Sequence, residues 1–311
     1  MAVQEIKLFG VLTALGTVTI WAAFLVGTRF AVSGNFTVEE VMVLRLVPAA
    51  IVMAPFMLRL GVLPRGQSWF GSFCIMLGAS AVFPFLVSKG LYYAPASDAG
   101  VLAPGMLPFW TALAAFIITG EKLDRIRMVG LLLILLGALF TGLWQILKVA
   151  DENAWKGYLL FLAGSGLFSV FSVIYRHSGL SPLHGLVIGL FWGAVLFAPL
   201  LLLTGNVTFA SADLADITAM IFLQSFVIAI LAMILFSYTV KQLGAPQTAA
   251  FGALTPILAL LGGVTLLGET ITNGKILGVI LVGVGVILAS GVCSTQKKPE
   301  RPQDGTRQNI P

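Results

Sequence analysis

PGMLPFWTALAAFIITGEKLDRIRMVGLLLILLGALFTG (residues 104–142) and GALTPILALLGGVTLLGETITNGKILGVILVGVGVILAS (residues 252–290) are two copies of one pattern. Each copy is a hydrophobic segment, a short Gly-Glu turn and a second hydrophobic segment. An offset of 148 positions superposes, without a gap, Pro108 on Pro256, Gly120 on Gly268, Glu121 on Glu269, Gly130 on Gly278 and Gly137 on Gly285. Because internal repeats fix the architecture of a chain, this stretch decides the fold.

The duplication extends to the beginning of each half. An offset of 147 superposes Gly10 on Gly157, Trp21 on Phe168, Phe24 on Phe171 and Arg29 on Arg176. The chain is therefore predicted to consist of two related halves. Membrane proteins built in this way are typically transporters, whose substrate site lies between the halves near the middle of the bilayer.

Composition places the chain in a membrane. Hydrophobic residues make up 58% and charged residues 10% of the 311 residues, and the mean hydropathy is +1.00. Globular proteins are about one quarter charged. The net charge of +5 does not indicate nucleic acid, because basic residues of membrane proteins collect in cytoplasmic loops. The sequence predicts no enzyme, metal site or cofactor: His177 and His184 lack Cys or acidic partners, and no phosphate-binding loop is present.

A bilayer core requires about 20 apolar residues per helix, and this length divides the chain into ten predicted spans. They are 8–32, 38–59, 68–90, 97–119, 127–147, 155–175, 184–204, 214–240, 247–267 and 274–293. The predicted organisation is a cytoplasmic N-terminus (1–7), a first five-helix repeat (8–147), an outer linker (148–154), a second repeat (155–293) and a disordered cytoplasmic tail (294–311).

An odd number of spans in each half turns the second half upside down in the membrane. The loop charges agree, because Lys122, Arg125 and Arg127 follow the fourth span whereas the equivalent loop after the ninth span keeps only Lys275. Basic residues favour the cytoplasmic side. We therefore predict an all-α protein of two inverted five-helix repeats in a bacterial inner membrane, with both termini cytoplasmic.

Arg45 is the charge placed most deeply in a span. A central arginine costs about 2.5 to 3.5 kcal/mol on insertion scales, so such a group is either functional or paired. We expect it to have a structural role through an ion pair with Glu39 or Asp98, or to extend towards the outer face.

Lys89 and Asp98 bracket an outer turn that contains Tyr93. A cation and a carboxylate at the mouth of a cavity could hold the two ends of a zwitterion. The alternative is a solvated loop whose tyrosines belong to an interfacial aromatic belt.

Aromatic side chains recur at helical spacing on the first and sixth spans. The predicted substrate-binding residues on these stripes are Trp21, Phe24, Thr28, Phe168, Phe171 and Tyr175, and Phe83 on the third span joins them. If the two stripes face each other across a central space, they suit an apolar or aromatic substrate. Such stripes also arise from core or lipid contacts.

Prolines within the spans predict bent helices, since non-helical backbone at membrane depth persists where it is buried or lines a cavity. The predicted hinge residues are Pro104, Pro108, Gly120 and Glu121, together with Pro256, Gly268 and Glu269 in the second copy.

GLYYAPASDAGVLAPGMLPFWTALAAFIITGEKL (residues 90–123) resembles the signature of EamA-type members of the drug/metabolite transporter superfamily. Tyr93, Pro108, Gly120 and Glu121 match that signature, and the second copy repeats its proline and its Gly-Glu turn. Trp21 resembles the tryptophan of the opening helix, although Ala22 replaces the usual glycine. The resemblance covers nearly all of residues 8–293, and within the family it is strongest to the YddG-type exporters of aromatic and apolar amino acids.

The resemblance implies a ten-helix exporter of small metabolites, most commonly amino acids, that works by alternating access through a central cavity. The expected partners are a small-molecule substrate and the lipid bilayer, with a monomer as the working unit and a dimer as the alternative. Because acidic residues are lacking at mid-span, we expect uncoupled transport or weak coupling through Asp98. The alternatives are a nucleotide-sugar or phosphosugar transporter of the same superfamily and a lipid scramblase.

Overall fold

The structure, a computed structural model, describes residues 2–63, 69–121, 123–148, 153–176 and 178–292. Over these ranges the regular structure is entirely helical. The first helix begins at Ala2 and thus includes most of the predicted N-terminal segment. The predicted tail at 294–311, most of the 148–154 linker, Lys122 and His177 lie outside the described ranges.

Nine helical spans of the described chain are long and apolar enough to cross a bilayer. They are Leu8–Ser33, Val38–Leu60, Gly71–Tyr93, Ala96–Thr119, Arg125–Trp144, Ala154–Arg176, Pro182–Thr204, Leu214–Leu243 and Ala245–Leu267. The tenth, Asn273–Ala289, is an apolar helix of 17 residues, about 26 Å long at 1.5 Å per residue. It is short for a bilayer core of about 30 Å, a mismatch that local thinning of the bilayer accommodates. The predicted all-helical membrane fold is confirmed.

Large apolar side chains on the outside of the bundle show where lipid would lie. Leu58, Leu203 and Leu214 are 89%, 85% and 79% exposed. Soluble proteins rarely expose contiguous apolar surface on this scale. The outer face of the bundle is therefore built for hydrocarbon.

The fourth and ninth spans break at equivalent places. Helix Ala96–Leu102 is followed by a 3-10 turn at Pro104–Met106 and by helix Leu107–Thr119, and the ninth span breaks between helices Ala245–Phe251 and Leu254–Leu267. At the first break, the N–H of Leu107 donates to the carbonyl of Pro104 in the 3-10 turn, so the carbonyl of Ala103 loses its α-helical donor four residues on. Ser165 of the sixth span donates to that carbonyl, on Ala103, at 2.8 Å.

Wider π-helical turns interrupt three other spans, at Met76–Ser80, Gly193–Phe197 and Phe222–Leu231. Two of these turns correspond in the repeat, because Met76 and Gln224 are separated by the same 148 positions as the Gly-Glu turns. Turns of this kind are rare and occur often at functional sites. The third and eighth spans are therefore irregular at matching depths.

Both Gly-Glu turns have the same backbone geometry. Gly120 ends its helix with φ +69° and Gly268 with φ +66°, the left-handed conformation that glycine adopts most readily. The conserved shape of the turn places the following glutamate directly beyond the helix end. The predicted equivalence of the two turns thus extends from sequence to geometry.

The two turns lie at opposite ends of the bundle. The start of the fourth span packs on the end of the ninth, since Gly100 lies against Pro256 and Ala259 while the carboxylate of Glu269 contacts the backbone of Ala96. The two spans are therefore antiparallel. The second repeat is inverted relative to the first, as the loop charges predicted. We call these ends the Glu121 end and the Glu269 end.

The fifth and tenth spans also pack antiparallel, along a seam of glycines. A Cβ at Gly130 would lie 2.6 Å from the backbone nitrogen of Ala289 and 2.7 Å from the carbonyl oxygen of Gly285. A Cβ at Gly137 would lie 2.8 Å from the carbonyl oxygen of Gly278. Small residues allow this close backbone approach, on which helix association in membranes depends.

Gly130→Ala should lower the melting temperature of the purified protein in detergent. Its methyl group would meet backbone, which cannot rotate away, and overpacking costs about 1 to 3 kcal/mol. Gly142→Ala on the same helix is the control, since nothing lies within 4 Å of its added Cβ, and it should leave the melting temperature unchanged or raise it. Equal melting temperatures for the two variants would contradict the seam.

Candidate functional site

Arg45 forms the centre of a polar cluster that joins three spans. Its guanidinium donates to Gln224 Oε1 at 3.2 Å and lies 5.0 Å above the centroid of the Phe24 ring. Gln224 Nε2 in turn donates to Thr28 Oγ1 at 2.8 Å. Arg45 lies seven residues beyond Val38, the first residue of the second span, and therefore about 10 Å along it at 1.5 Å per residue. We call these four residues the Arg45 cluster.

The charge of Arg45 is not neutralised within the described part of the chain. No carboxylate there lies within ion-pair distance of it, because Glu39 pairs with Lys89 at 3.4 Å and Asp98 with Lys275 at 3.7 Å. The ion pair predicted for Arg45 is therefore wrong for both suggested partners. A hydrogen bond from an amide and the face of a ring attract the guanidinium, but they leave its full positive charge in the bundle.

The π-helical turn of the eighth span positions the cluster. Gln224 and Ser225 both lie in this turn and are fully buried. Ser225 Oγ donates to the carbonyl oxygen of Leu44 at 2.6 Å, which holds the second and eighth spans together beside Arg45. Sequence reasoning missed Gln224, although an amide within an apolar run is itself a signal, because polar groups at membrane depth are costly and tend to be functional.

The indole ring of Trp21, on the first span, packs against the eighth span. The ring centroids of Trp21 and Phe236 are 5.4 Å apart. Beside them is a small cavity of about 10 Å³, enough for about one water molecule. Ala14, Thr17, Val18, Trp21, Phe236, Thr239, Thr248 and Phe251 line it.

The stripe of the sixth span packs against the third. Phe168 lies 4.8 Å from Phe83 and 5.8 Å from Phe171, centroid to centroid, and Phe171 lies 5.3 Å from Tyr175. The sixth and third spans are the repeat equivalents of the first and eighth. Trp21 and Phe168 thus each pack against the third span of the other repeat, in two equivalent pairings. The face-to-face arrangement of the two stripes across a central space stays a prediction.

Asp98 and Lys275 form a buried ion pair at the Glu269 end. Their Oδ1 and Nζ atoms are 3.7 Å apart, with the side chains 0% and 2% exposed. Tyr158 donates to the other carboxylate oxygen of Asp98 at 3.0 Å, and Lys275 donates to Ser97 Oγ at 2.8 Å. The ammonium and carboxylate thus have hydrogen-bonding partners as well as each other, as buried charges require.

Lys89 and Asp98 do not form the predicted pair around one solute. Lys89 lies 3.4 Å from Glu39 and 5.8 Å from the centroid of the Tyr92 ring, in the lining of a cavity of about 360 Å³ at the surface of the Glu269 end. Asp98 faces inwards and is buried. Tyr93 lies against Lys156, whose ammonium is 5.8 Å from its ring centroid. Lys89, Tyr93 and Asp98 are close in sequence, but the structure does not bring their side chains together.

The Glu269 end of the bundle is sealed by backbone contacts. Glu269 Oε1 accepts from the N–H of Ala96 at 2.7 Å, and Oε2 accepts from the N–H of Ser97 at 3.0 Å. All seven residues of helix Ala96–Leu102 are buried. The start of the fourth span is therefore packed on every side.

The Glu121 end differs, although the repeat makes it equivalent. Only Thr248 is buried in helix Ala245–Phe251, whose N-cap residue is Gly244. Glu121 instead pairs with Arg176 at 3.0 Å, and the two side chains are 40% and 55% exposed. Two ends with the same sequence pattern thus differ in packing, and we call the buried Glu269 end the sealed end and the more exposed Glu121 end the open end.

Comparison with known proteins explains the fold. The model of the EamA-like transporter family matches residues 8–143 and, separately, residues 155–291. The chain belongs to the EamA-like transporter family. The family match therefore covers both halves of the chain.

Two relatives of this chain are described as transporters. An uncharacterised transporter of Bacillus subtilis (strain 168), YyaM, is 25% identical over 72% of this chain and 74% of its own length. A probable amino-acid metabolite efflux pump of Salmonella typhimurium (strain LT2) is 25% identical over 66% of this chain and 71% of its own. A protein of known crystal structure superposes with a TM-score of 0.64 over 93% of this chain and 98% of its own, at 17% identity, which shows the fold alone.

Lys275→Met should destabilise this EamA-like transporter, because it leaves the Asp98 carboxylate buried without its cation. Loss of one partner of a buried pair costs about 3 to 5 kcal/mol, whereas replacement of both partners by neutral residues of similar volume is often nearly neutral. We therefore expect the double variant Asp98→Asn/Lys275→Met to recover most of the melting temperature that Lys275→Met loses. If the losses from the two single variants simply add in the double variant, the pair does not exist.

Proposed function

We propose that this EamA-like transporter exports amino acids with apolar or aromatic side chains, and that Arg45 binds their carboxylate. The supporting observation is the unneutralised guanidinium inside the bundle. An arginine pairs with a carboxylate through charge-assisted hydrogen bonds, which are about twice as strong as neutral ones. A substrate carboxylate would supply the negative charge that the described residues do not.

The surroundings of Arg45 suit the rest of such a solute. Phe24 lies beneath the guanidinium, and Trp21 lies one helical turn earlier on the same span. Aromatic faces bind apolar and aromatic groups without a large desolvation cost. The relative described as a probable amino-acid metabolite efflux pump supports the same substrate class.

Phosphorylated sugars suit the cluster less well. Recognition of a phosphate relies on several arginine and lysine donors. Lys89, the other cation predicted near a cavity, pairs with Glu39. The Arg45 cluster therefore offers one cation, which matches a single carboxylate.

The proposed transport cycle is alternating access across the inner membrane of a bacterium. With both termini in the cytoplasm, the Glu121 end faces the cytoplasm and the Glu269 end faces outwards. The state described here is then sealed towards the outside and open towards the cytoplasm. An exporter in this state would be ready to take up its substrate.

Arg45→Ala should reduce amino-acid transport by purified protein in liposomes. Removing one partner of a desolvated, hydrogen-bonded charge pair costs about 2 kcal/mol or more, so we expect the KM for amino-acid efflux to rise by about 30-fold or more. Arg59→Ala is the control, because this arginine lies exposed at the end of the same span.

The result that would overturn the substrate assignment is unchanged amino-acid efflux in the Arg45→Ala liposomes. Uptake of a sugar phosphate by the same liposomes, without amino-acid flux, would favour the phosphosugar alternative. Movement of labelled lipid between leaflets, again without amino-acid flux, would favour a scramblase.

A pH gradient should leave the initial rate of amino-acid efflux unchanged. The only titratable pair buried among the described spans, Asp98 and Lys275, is satisfied at the sealed end and lies apart from the Arg45 cluster. The measurement compares flux with and without an imposed gradient. A strong dependence that disappears in Asp98→Asn/Lys275→Met would show that transport is coupled to protons through this pair.

A further inference from the structure

Two arginines and two glutamates occupy equivalent positions in the repeats and have different partners. Arg29 corresponds to Arg176, and Glu121 corresponds to Glu269. At the sealed end, Glu269 accepts from two backbone N–H groups at the start of the fourth span. At the open end, Glu121 and Arg176 bind each other.

Arg29 completes the sealed end. Its guanidinium donates to the backbone carbonyl of Leu91 and, at 3.0 Å, to that of Tyr92, both at the end of the third span. Carbonyls at the end of a helix lack helical partners and favour a cation. At the sealed end, Glu269 and Arg29 thus each bind the backbone of a neighbouring span, whereas at the open end Glu121 and Arg176 bind each other.

The backbone groups that would receive Glu121 and Arg176 are present at the open end. Residues equivalent to Ala96 and Ser97 are Gly244 and Ala245, at the start of the ninth span, and the N–H of Gly244 donates to the carbonyl oxygen of Val240 at 2.9 Å. Residues equivalent to Leu91 and Tyr92 are Thr239 and Val240, near the end of the eighth span. The four charges and both backbone targets are therefore duplicated.

We propose that these four residues form two gates that exchange partners during transport. When the Glu121 end closes, the bond between Gly244 and Val240 opens at the last turn of the eighth span. Glu121 then binds the N–H groups of Gly244 and Ala245, and Arg176 binds the carbonyls near the end of the eighth span. At the same time Glu269 and Arg29 leave the backbone and bind each other. This inference rests on the alternating-access cycle proposed above and assigns the residues that move in it.

The exchange explains how the two states can be close in free energy. The same set of bonds forms in each state, at opposite ends, so the difference between the states is small, as a two-state equilibrium requires. The Asp98–Lys275 pair breaks this symmetry, because the equivalent positions are Pro246 and Arg127. The pair therefore favours the state that is sealed at the Glu269 end.

Neutralising the two glutamates should move the equilibrium in opposite directions. Glu269→Gln removes a charged acceptor from buried backbone bonds in the present state, and only an exposed ion pair in the other state. Bonds to charged groups contribute more than exposed ion pairs. Glu269→Gln should therefore open the sealed end, and Glu121→Gln should favour the present state for the same reason.

Thiol labelling at one pair of repeat-equivalent positions measures how accessible each end is. Ser97→Cys is buried in the present state and its equivalent, Ala245→Cys, is exposed, in a background where Cys74 and Cys293 are replaced by Ala. Glu269→Gln should speed labelling of Ser97→Cys about tenfold and slow that of Ala245→Cys. Adding Glu121→Gln to that variant should return both rates towards those of the parent.

Faster labelling at both positions in Glu269→Gln would overturn the exchange, because it would show general loosening. Unchanged rates at both positions would overturn it as well. Amino-acid flux in the same preparation separates this inference from the proposed function. If the two labelling rates change in opposite directions but no amino acid is transported, the gate proposal holds and the amino-acid assignment is refuted. If amino acids are transported but the labelling rates do not change in opposite directions, only the gate proposal is refuted.

Discussion

Backbone polar groups in a bilayer must find partners within the protein, since hydrocarbon supplies none. The fourth span cannot satisfy its own backbone, because it breaks at Pro104 and begins in the interior of the bundle. Ser165 of the sixth span binds the carbonyl at the break, and Glu269 of the ninth span binds the N–H groups at the start. The dependence of one broken helix on two others holds the two repeats together.

Because the backbone of the fourth span is bound by side chains of other spans, the ends of the bundle can also move. A cap supplied by another span can leave when a second partner is available, whereas a bond within a helix cannot leave without unwinding the helix. At the open end, Arg176 is that second partner for Glu121. The inverted repeat supplies two such ends, and their glutamates have different partners: Glu269 binds backbone N–H groups, whereas Glu121 binds Arg176. When one end closes and the other opens, hydrogen bonds of the same kind form at the first end and break at the second. The two states therefore remain close in free energy.

Much of this architecture follows from sequence. Hydropathy predicted the spans, the prolines predicted where the fourth and ninth spans break, and the offset between Gly120 and Gly268 predicted two turns of the same backbone shape. Loop charges predicted their inversion. Each of these features depends on local chemistry or on comparison of the chain with itself, so no knowledge of packing between distant spans is needed to find it.

The side-chain partners could not be predicted in this way. Lys275 was assigned to an outer loop, but the antiparallel register of the spans buries it against Asp98, far away in sequence. Gln224 faces Arg45 and Thr28 because a π-helical turn lies at its position, and spacing alone does not reveal such a turn. The stripes beginning at Trp21 and Phe168 are real, but which neighbour they face depends on helix rotation, which sequence periodicity leaves free.

The most direct test of the account is a pair of distance measurements by pulsed electron paramagnetic resonance on the protein in lipid. One spin-label pair, at Thr119 and Gln247, spans the Glu121 end, and the other, at Tyr92 and Ile271, spans the Glu269 end. All four positions are exposed. When a transported amino acid is added, the account predicts a second population in which the first distance is shorter and the second is longer. Distances that shorten together, lengthen together or remain single at both ends would contradict it.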